Sequence, residues 1–291
     1  MPDRITDHTL LNTLAKFPLD IQRDPAQRSF WLAVAVLRYF FGPEWVEKYV
    51  GLDQSTPSFL RLVPTDKDHI QSQISTFRIV DLGELLLNLQ AIPGIETCLT
   101  RMKEGTIEPT YAELDFGRML HVSGVKFRYV EPQQAKGLDY DVEIILADGC
   151  VVCADAKCKL EVTEFSEKTV KNSLQEARKQ FPKDRPSMIF MKVPAQWLRQ
   201  DQIWRSLVEI AGQFLRTTGR IVSVKFYMSG VDHDKGMIKY DQMFREVSNR
   251  SNRFDQLRDW DLFAEPDPAG GWTTVPSSWK RLLFFPSNGP S

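Results

Sequence analysis

The sequence predicts an α/β chain: a helical N-terminal region, a mixed strand–helix core and a C-terminal extension. Three observations carry this. Apolar residues recur at spacings of three and four up to about residue 106. From Ile107 the pattern becomes helix, three short strands, helix, strand. From about residue 231 the chain turns polar, and past Glu265 it is rich in Pro, Gly and Ser. The predicted regions are therefore 1–106, 107–230 and 231–291.

In the first region helices are expected near 8–16, 26–41, 44–50, 68–90 and 94–104, broken at Pro43, Pro57, Pro64 and Pro93. Phe30, Trp31, Val34, Leu37 and Phe40 read as one packed helical stripe. In the second region Pro109 sits in the first turn of a helix that Gly124 ends. Strands follow in VKFRYVEP, LDYDVEIIL and CVVCADAKCKL, with turns at QQAKG and ADG. A helix over 166–181, N-capped by Ser166, puts Val170, Leu174, Ala177 and Phe181 on one face. SMIFMKVP is a strand, then a helix near 200–217 and a strand near 221–228. A helix is expected near 240–249, and Trp272, Trp279, Phe284 and Phe285 are expected to pack onto the core or onto a partner.

The 291 residues and 42% hydrophobic content suit one large domain or two modest ones. The 37 Lys and Arg nearly balance 38 Asp and Glu, so any nucleic-acid surface must be a local patch. No apolar run reaches the length of a membrane span, and the first residues lack the apolar stretch of a signal peptide. A cytoplasmic protein without a membrane partner is expected. Cys150, Cys153 and Cys158 are not read as a zinc site, since alternation along one strand points Cys150 and Cys153 apart. The four histidines are scattered, and Asp232-His233-Asp234 reads as a polar loop.

The chemistry concentrates in GLDYDVEIILADGCVVCADAKCK. Ala-Asp-Gly suits a three-residue hairpin loop with Gly149 in the left-handed region. Leu146 then pairs with Cys150, Asp141 faces Asp155, and Asp139 faces Lys157, all on one side of the sheet. Tyr140, Val142, Ile144 and Leu146 form the opposite, apolar face. Two carboxylates held face to face repel unless a proton or a cation lies between them. Hard oxygen ligands favour Mg²⁺ or Mn²⁺.

A helical Glu, a strand Asp and an Asp-x-Lys on the paired strand, in the order αβββαβ, resemble the PD-(D/E)xK nuclease superfamily. The likeness spans about residues 107–193 and implies a restriction-endonuclease-like core. By that resemblance Asp155-Ala156-Lys157 is the acid–x–lysine element, Asp141 the metal-binding strand acid and Glu113 the helical acid of a Mg²⁺ or Mn²⁺ site. Gln175 corresponds to a glutamine many members place nearby. The proline of the family pattern is absent, since Leu138 precedes Asp139 and Tyr140 precedes Asp141. Asp139 opens the strand as the family's acid often does, whereas Asp141 stands opposite Asp155 and is preferred.

The resemblance implies metal-dependent hydrolysis of nucleic acid, with DNA the first expectation, in defence, repair or mobile-element processing. Lys168, Lys171, Arg178 and Lys179 on helix 166–181 are candidate phosphate contacts, or else a solvated charged face. A homodimer or protein partner would use the N-terminal helices or the aromatic tail. The alternative from another class is a non-catalytic module that binds nucleic acid or protein within an assembly. A third is a structural α/β protein in which Asp155 and Lys157 are a buried ion pair and Glu113 a solvated helix residue.

Overall fold

In the computed structural model, residues 4–52, 58–64, 68–131, 133, 135, 137–234, 237–258, 279–283 and 285 are described, with the side chains of 229–242 left aside. Pro57, Trp272, Phe284 and the side chains of Asp232-His233-Asp234 lie outside the described residues. The chain divides into two compact units, Met1–Ile107 with Gly271–Ser291, and Glu108–Gly270.

The first unit is helical: α1 (Asp7–Leu14), α2 (Leu19–Arg23), α3 (Pro25–Phe41), α4 (Pro43–Tyr49), α5 (His69–Leu89) and α6 (Ile95–Lys103). All but the short α2 were expected. Asp24 starts α3 by accepting from the Ala26 and Gln27 N–H groups, which satisfies donors the helix cannot use. Gly83 lets α5 lie close on α3, since a Cβ there would stand 2.8 Å from Ala33 Cβ. The described part of the aromatic tail belongs to this unit. Trp279, Leu282 and Phe285 are buried, and the Leu282 N–H donates to Glu84 Oε1 at 2.9 Å.

The second unit holds α7 (Ile107–Val122), β1 (Lys126–Tyr129), β2 (Val142–Ile145), β3 (Val151–Cys158), α8 (Glu167–Gln180), β4 (Ser187–Lys192), α9 (Ala195–Leu198), α10 (Asp201–Leu215), β5 (Ile221–Asp234) and β6 (Met237–Ser248). The strands form one six-stranded mixed sheet in the order β1-β2-β3-β4-β5-β6. The β1–β2, β2–β3 and β5–β6 pairs are antiparallel, while β3–β4 and β4–β5 are parallel. Parallel neighbours need a crossover, and α8 and α10 supply it.

α8 and α10 cover one face of the sheet. Val170, Leu174, Ala177 and Phe181 meet Cys153, Ile189, Met191 and Phe226 in a buried cluster that also takes in Leu207, Ile210 and Phe214. α7 covers the other face, where Phe116 stacks on Phe190 with ring centroids 4.7 Å apart. Gly117 makes this approach possible, since a Cβ there would fall 1.9 Å from the Tyr129 hydroxyl.

Three expectations change, the first being that residues 232–234, expected as a polar loop beyond a strand ending near 228, continue β5 in pairing with β6. Residues 240–249 are strand rather than helix, paired along the length of β5. Met243 and Val247, both packed against the core, are four apart, a spacing that serves one helix face and also two full strand periods. The expected boundary at 230 consequently falls inside β5, and β6 belongs to the same sheet as the core.

Candidate functional site

The hairpin turn places the site. Gly149 has φ +83°, its N–H donates to Leu146 O at 3.0 Å, and the Leu146 N–H donates to Cys150 O at 2.9 Å. The register follows as expected, with Val142 paired to Ala154, Glu143 to Cys153 and Ile145 to Val151. Continued one step beyond the end of β2, it sets Asp141 against Asp155.

There β2 and β3 part. Val142 is the first residue of β2, while β3 runs on to Cys158 with only β4 beside it. Asp141 fills the gap, because its Oδ2 accepts the Ala156 N–H at 2.8 Å while its own N–H donates to Ala154 O at 3.0 Å. The carboxylate thus takes the place of a strand neighbour, and the notch beside it holds Asp155 and Lys157. Asp155 is almost fully buried, and the Lys157 ammonium stands 2.8 Å from its Oδ2. That contact is close enough to pair yet poorly directed, and Oδ2 has no hydrogen bond. Burial raises the Asp155 pKa well above the ordinary carboxylate value, the Asp141 charge raises it further, and Lys157 pulls it back.

Lys157 is itself held by Gln180, whose Oε1 accepts from the ammonium. Gln180, not Gln175, is the glutamine at this place, because the C-terminal end of α8 meets this part of β3. Gln175 lies half-buried earlier on α8. The helical pattern offered no signal between them, since both fall on α8. Asp139 stands before the strand, with its N–H donating to Gln180 O at 3.2 Å, so no ladder pairs it with Lys157. The alternation predicted through Tyr140 also stops at the strand end. Tyr140 packs among the α8 residues and donates to Glu143 Oε1 at 2.7 Å. Glu143 is buried beside it and is neutralised by Arg128, whose Nε donates at 2.6 Å, with Arg185 at 3.4 Å.

Glu113 is buried in α7 along with Asp115 and Arg118, which excludes the solvated-helix reading. Asp115 is engaged by Arg118 and by the Tyr227 hydroxyl at 2.6 Å. Glu113 does not join the two aspartates in a group of three metal-ligating side chains among the described residues. Of the α8 cations, Lys168 is exposed, Lys171 pairs with Glu167 at 3.0 Å and Lys179 with Glu176 at 2.7 Å. Arg178 turns toward α10, 3.4 Å from Thr217 Oγ1.

The geometry therefore brings together Asp141, Asp155 and Lys157, and adds Gln180. Two oxygen-donor carboxylates, one with a buried oxygen lacking a directed donor, form a place that favours a cation and disfavours a second negative charge. No family model matches the chain, and no curated protein matches it.

Proposed function

We propose that this chain is a Mg²⁺- or Mn²⁺-dependent nuclease that hydrolyses DNA phosphodiester bonds on a restriction-endonuclease-like αβββαβ core. The observation that carries the reading is the burial of Asp155 against Asp141 with Lys157 in the same notch. Placing two carboxylates together at a strand end costs stability unless a proton or a cation occupies the place, and a divalent cation suits both oxygens at once. The element order from α7 to β4 supports the same reading.

The donor set fits the ion. Mg²⁺ is commonly held by one or two carboxylates, with waters and substrate phosphate oxygens completing its shell. Asp141 and Asp155 would hold it here. Bound there, the cation would polarise a phosphate oxygen and lower the pKa of an attached water. The chain's own groups do the rest. Asp141 is fixed by the Ala156 N–H, so one of its oxygens keeps its place whichever ligand arrives. Asp155 must give up its proton to act as a ligand, and Lys157 favours that ionised state. The Lys157 ammonium, steadied by Gln180, can donate to an attacking water or to the negative charge that develops on the phosphate.

A second reading is favoured by one observation, that two acids rather than three converge among the described residues. On it the chain is a module that binds nucleic acid without cutting. Cleavage of supercoiled plasmid and of single-stranded DNA with Mg²⁺ or Mn²⁺ separates the two, using wild type, Lys157→Ala and Asp155→Ala together. Cutting by wild type that both variants lose supports the nuclease. Equal cutting by all three places the activity elsewhere. DNA binding that persists in chelator, with no cutting under any metal, supports the module.

A further inference from the structure

A second cluster lies at the end of α8 remote from Lys168 and Lys171. Arg178, Lys183, Thr217, Thr218, Arg220 and Arg253 line one cavity of about 430 Å³. Four of these residues are cationic, and their guanidinium donors go to oxygens without formal charge. Arg178 reaches Thr217 Oγ1, Arg220 reaches the Arg178 carbonyl and Arg253 reaches the Lys183 carbonyl. Among the described residues none of the four pairs with a carboxylate.

Helix dipoles explain part of this. α8 and α10 both end here, and each C-terminus presents about half a negative charge. Together they offset about one of four cations, so the cavity keeps a positive field. Burial lowers the Arg220 pKa first, and the neighbouring Arg178 and Arg253 lower it further. An arginine stays charged regardless, so the guanidinium remains a cation beside Arg178 and Arg253.

The cavity is also built rigidly. Buried Asn249 donates to Thr218 O and Ile221 O, each at 2.8 Å, and so fixes the loop that carries Arg220. Buried Asn252 donates to Asn249 O at 2.8 Å, and the Arg253 N–H donates to Gly219 O at 2.9 Å. Two buried amides spent on holding cationic loops in place suit a preorganised anion site.

We infer that this cavity binds a backbone phosphate of the nucleic-acid strand, an assignment that rests on the proposed nuclease reading. Forked guanidinium groups with nearby hydroxyls match phosphate oxygens. Arg178 and Gln180 stand in the same last turn of α8, so one rigid segment carries a wall of the cavity and the partner of Lys157. A chain with balanced charge needs such a patch to hold a polyanion at all.

The test is binding of a fluorescent DNA duplex of about 20 base pairs to the full chain in EDTA, read by anisotropy at several salt concentrations. Lys183→Glu with Arg253→Glu changes two exposed side chains, and Arg220→Gln is a second, milder variant; thermal melting by circular dichroism checks that each is folded. The expected result is binding weakened at least about tenfold in the double variant, with the slope of log K against log salt reduced by about one to two. Lys168→Glu with Lys171→Glu should change both less. Unchanged binding in folded pocket variants overturns the inference, as does a wild type that binds no duplex. Inorganic phosphate titrated alone distinguishes the source, since pocket-dependent phosphate binding without DNA binding overturns the nucleic-acid assignment. Cutting is not read in this experiment. Pocket-dependent binding by a chain that never cuts sinks the nuclease alone, and Asp155-dependent cutting with pocket-independent binding sinks the pocket alone.

Discussion

Asp155 and Lys157 occupy one short piece of β3 but make different demands on their surroundings. Lys157 needs aim, which Gln180 supplies. On the proposed nuclease reading, Lys157→Ala should lower the initial rate of plasmid nicking by on the order of 10²-fold or more, the usual cost of removing a donor to developing charge. Gln180→Ala should lower it about tenfold, with the fold intact. A Gln180→Ala chain as fast as wild type would remove the positioning role. Asp155 needs a counter-charge. Its pKa is raised in the folded chain by burial and then by Asp141, so the folded state keeps this proton to higher pH than the unfolded state does. The stability it contributes is full below the unfolded value near 3.9 and is lost as pH rises through the higher folded value. In EDTA, Asp155→Asn should therefore gain stability relative to wild type as pH rises above about 4, the gain levelling off once the pH passes the folded value, measured by urea unfolding at each pH. Mg²⁺ should narrow that gap at the upper end. Curves for the two proteins that stay parallel would show that Asp155 carries no such burden.

Elements set where those residues stand. The β2–β3 hairpin was legible because its turn admits few geometries, and a register read from Ala-Asp-Gly is the one found from Val142 to Ile145. Burial on both faces of α7 was not legible, since Thr110, Glu113 and Asp115 are polar in sequence and buried in the fold. Nor was β6, where a four-residue spacing satisfies helix and strand alike. The acid–acid–lysine set could be read from one hairpin, whereas Gln180 and the basic cavity depend on how the end of α8 meets segments far apart in sequence. Gly117 belongs with this scale. Gly117→Ala would force a methyl group against the Tyr129 hydroxyl and should destabilise the chain by about 1–3 kcal/mol, as overpacking commonly does. Adding Tyr129→Phe should recover part of that loss in urea unfolding. No recovery would mean that the strain falls on the helix rather than on this contact.

At the scale of the whole molecule, the chain folds its first and last segments into one unit and its middle into another. The tail joins the first unit through apolar burial and through an ion pair between the Lys280 ammonium and Asp7 Oδ1 at 2.5 Å. Leu282 is fully buried, its N–H is taken by Glu84 and the Lys280 N–H by Asn88 Oδ1 at 2.8 Å. Glu84 and Asn88 both lie on α5, where a helical N-terminal region read alone would expect solvent or a partner. Leu282→Ala removes a packed side chain and should cost about 2–5 kcal/mol, the range of buried leucine truncations. The loss should be local. Hydrogen exchange read by mass spectrometry should speed up in α3 and α5 while β3 and β4 keep their protection, because the unit that carries Asp155 and Lys157 has its own core under α8 and α10. On the proposed nuclease reading, DNA cutting at moderate temperature should then be unchanged, since every residue assigned to it lies in the second unit. Exchange that rises equally in both units would mean that they unfold as one cooperative body, and the tail would then be part of what holds the acid pair in place.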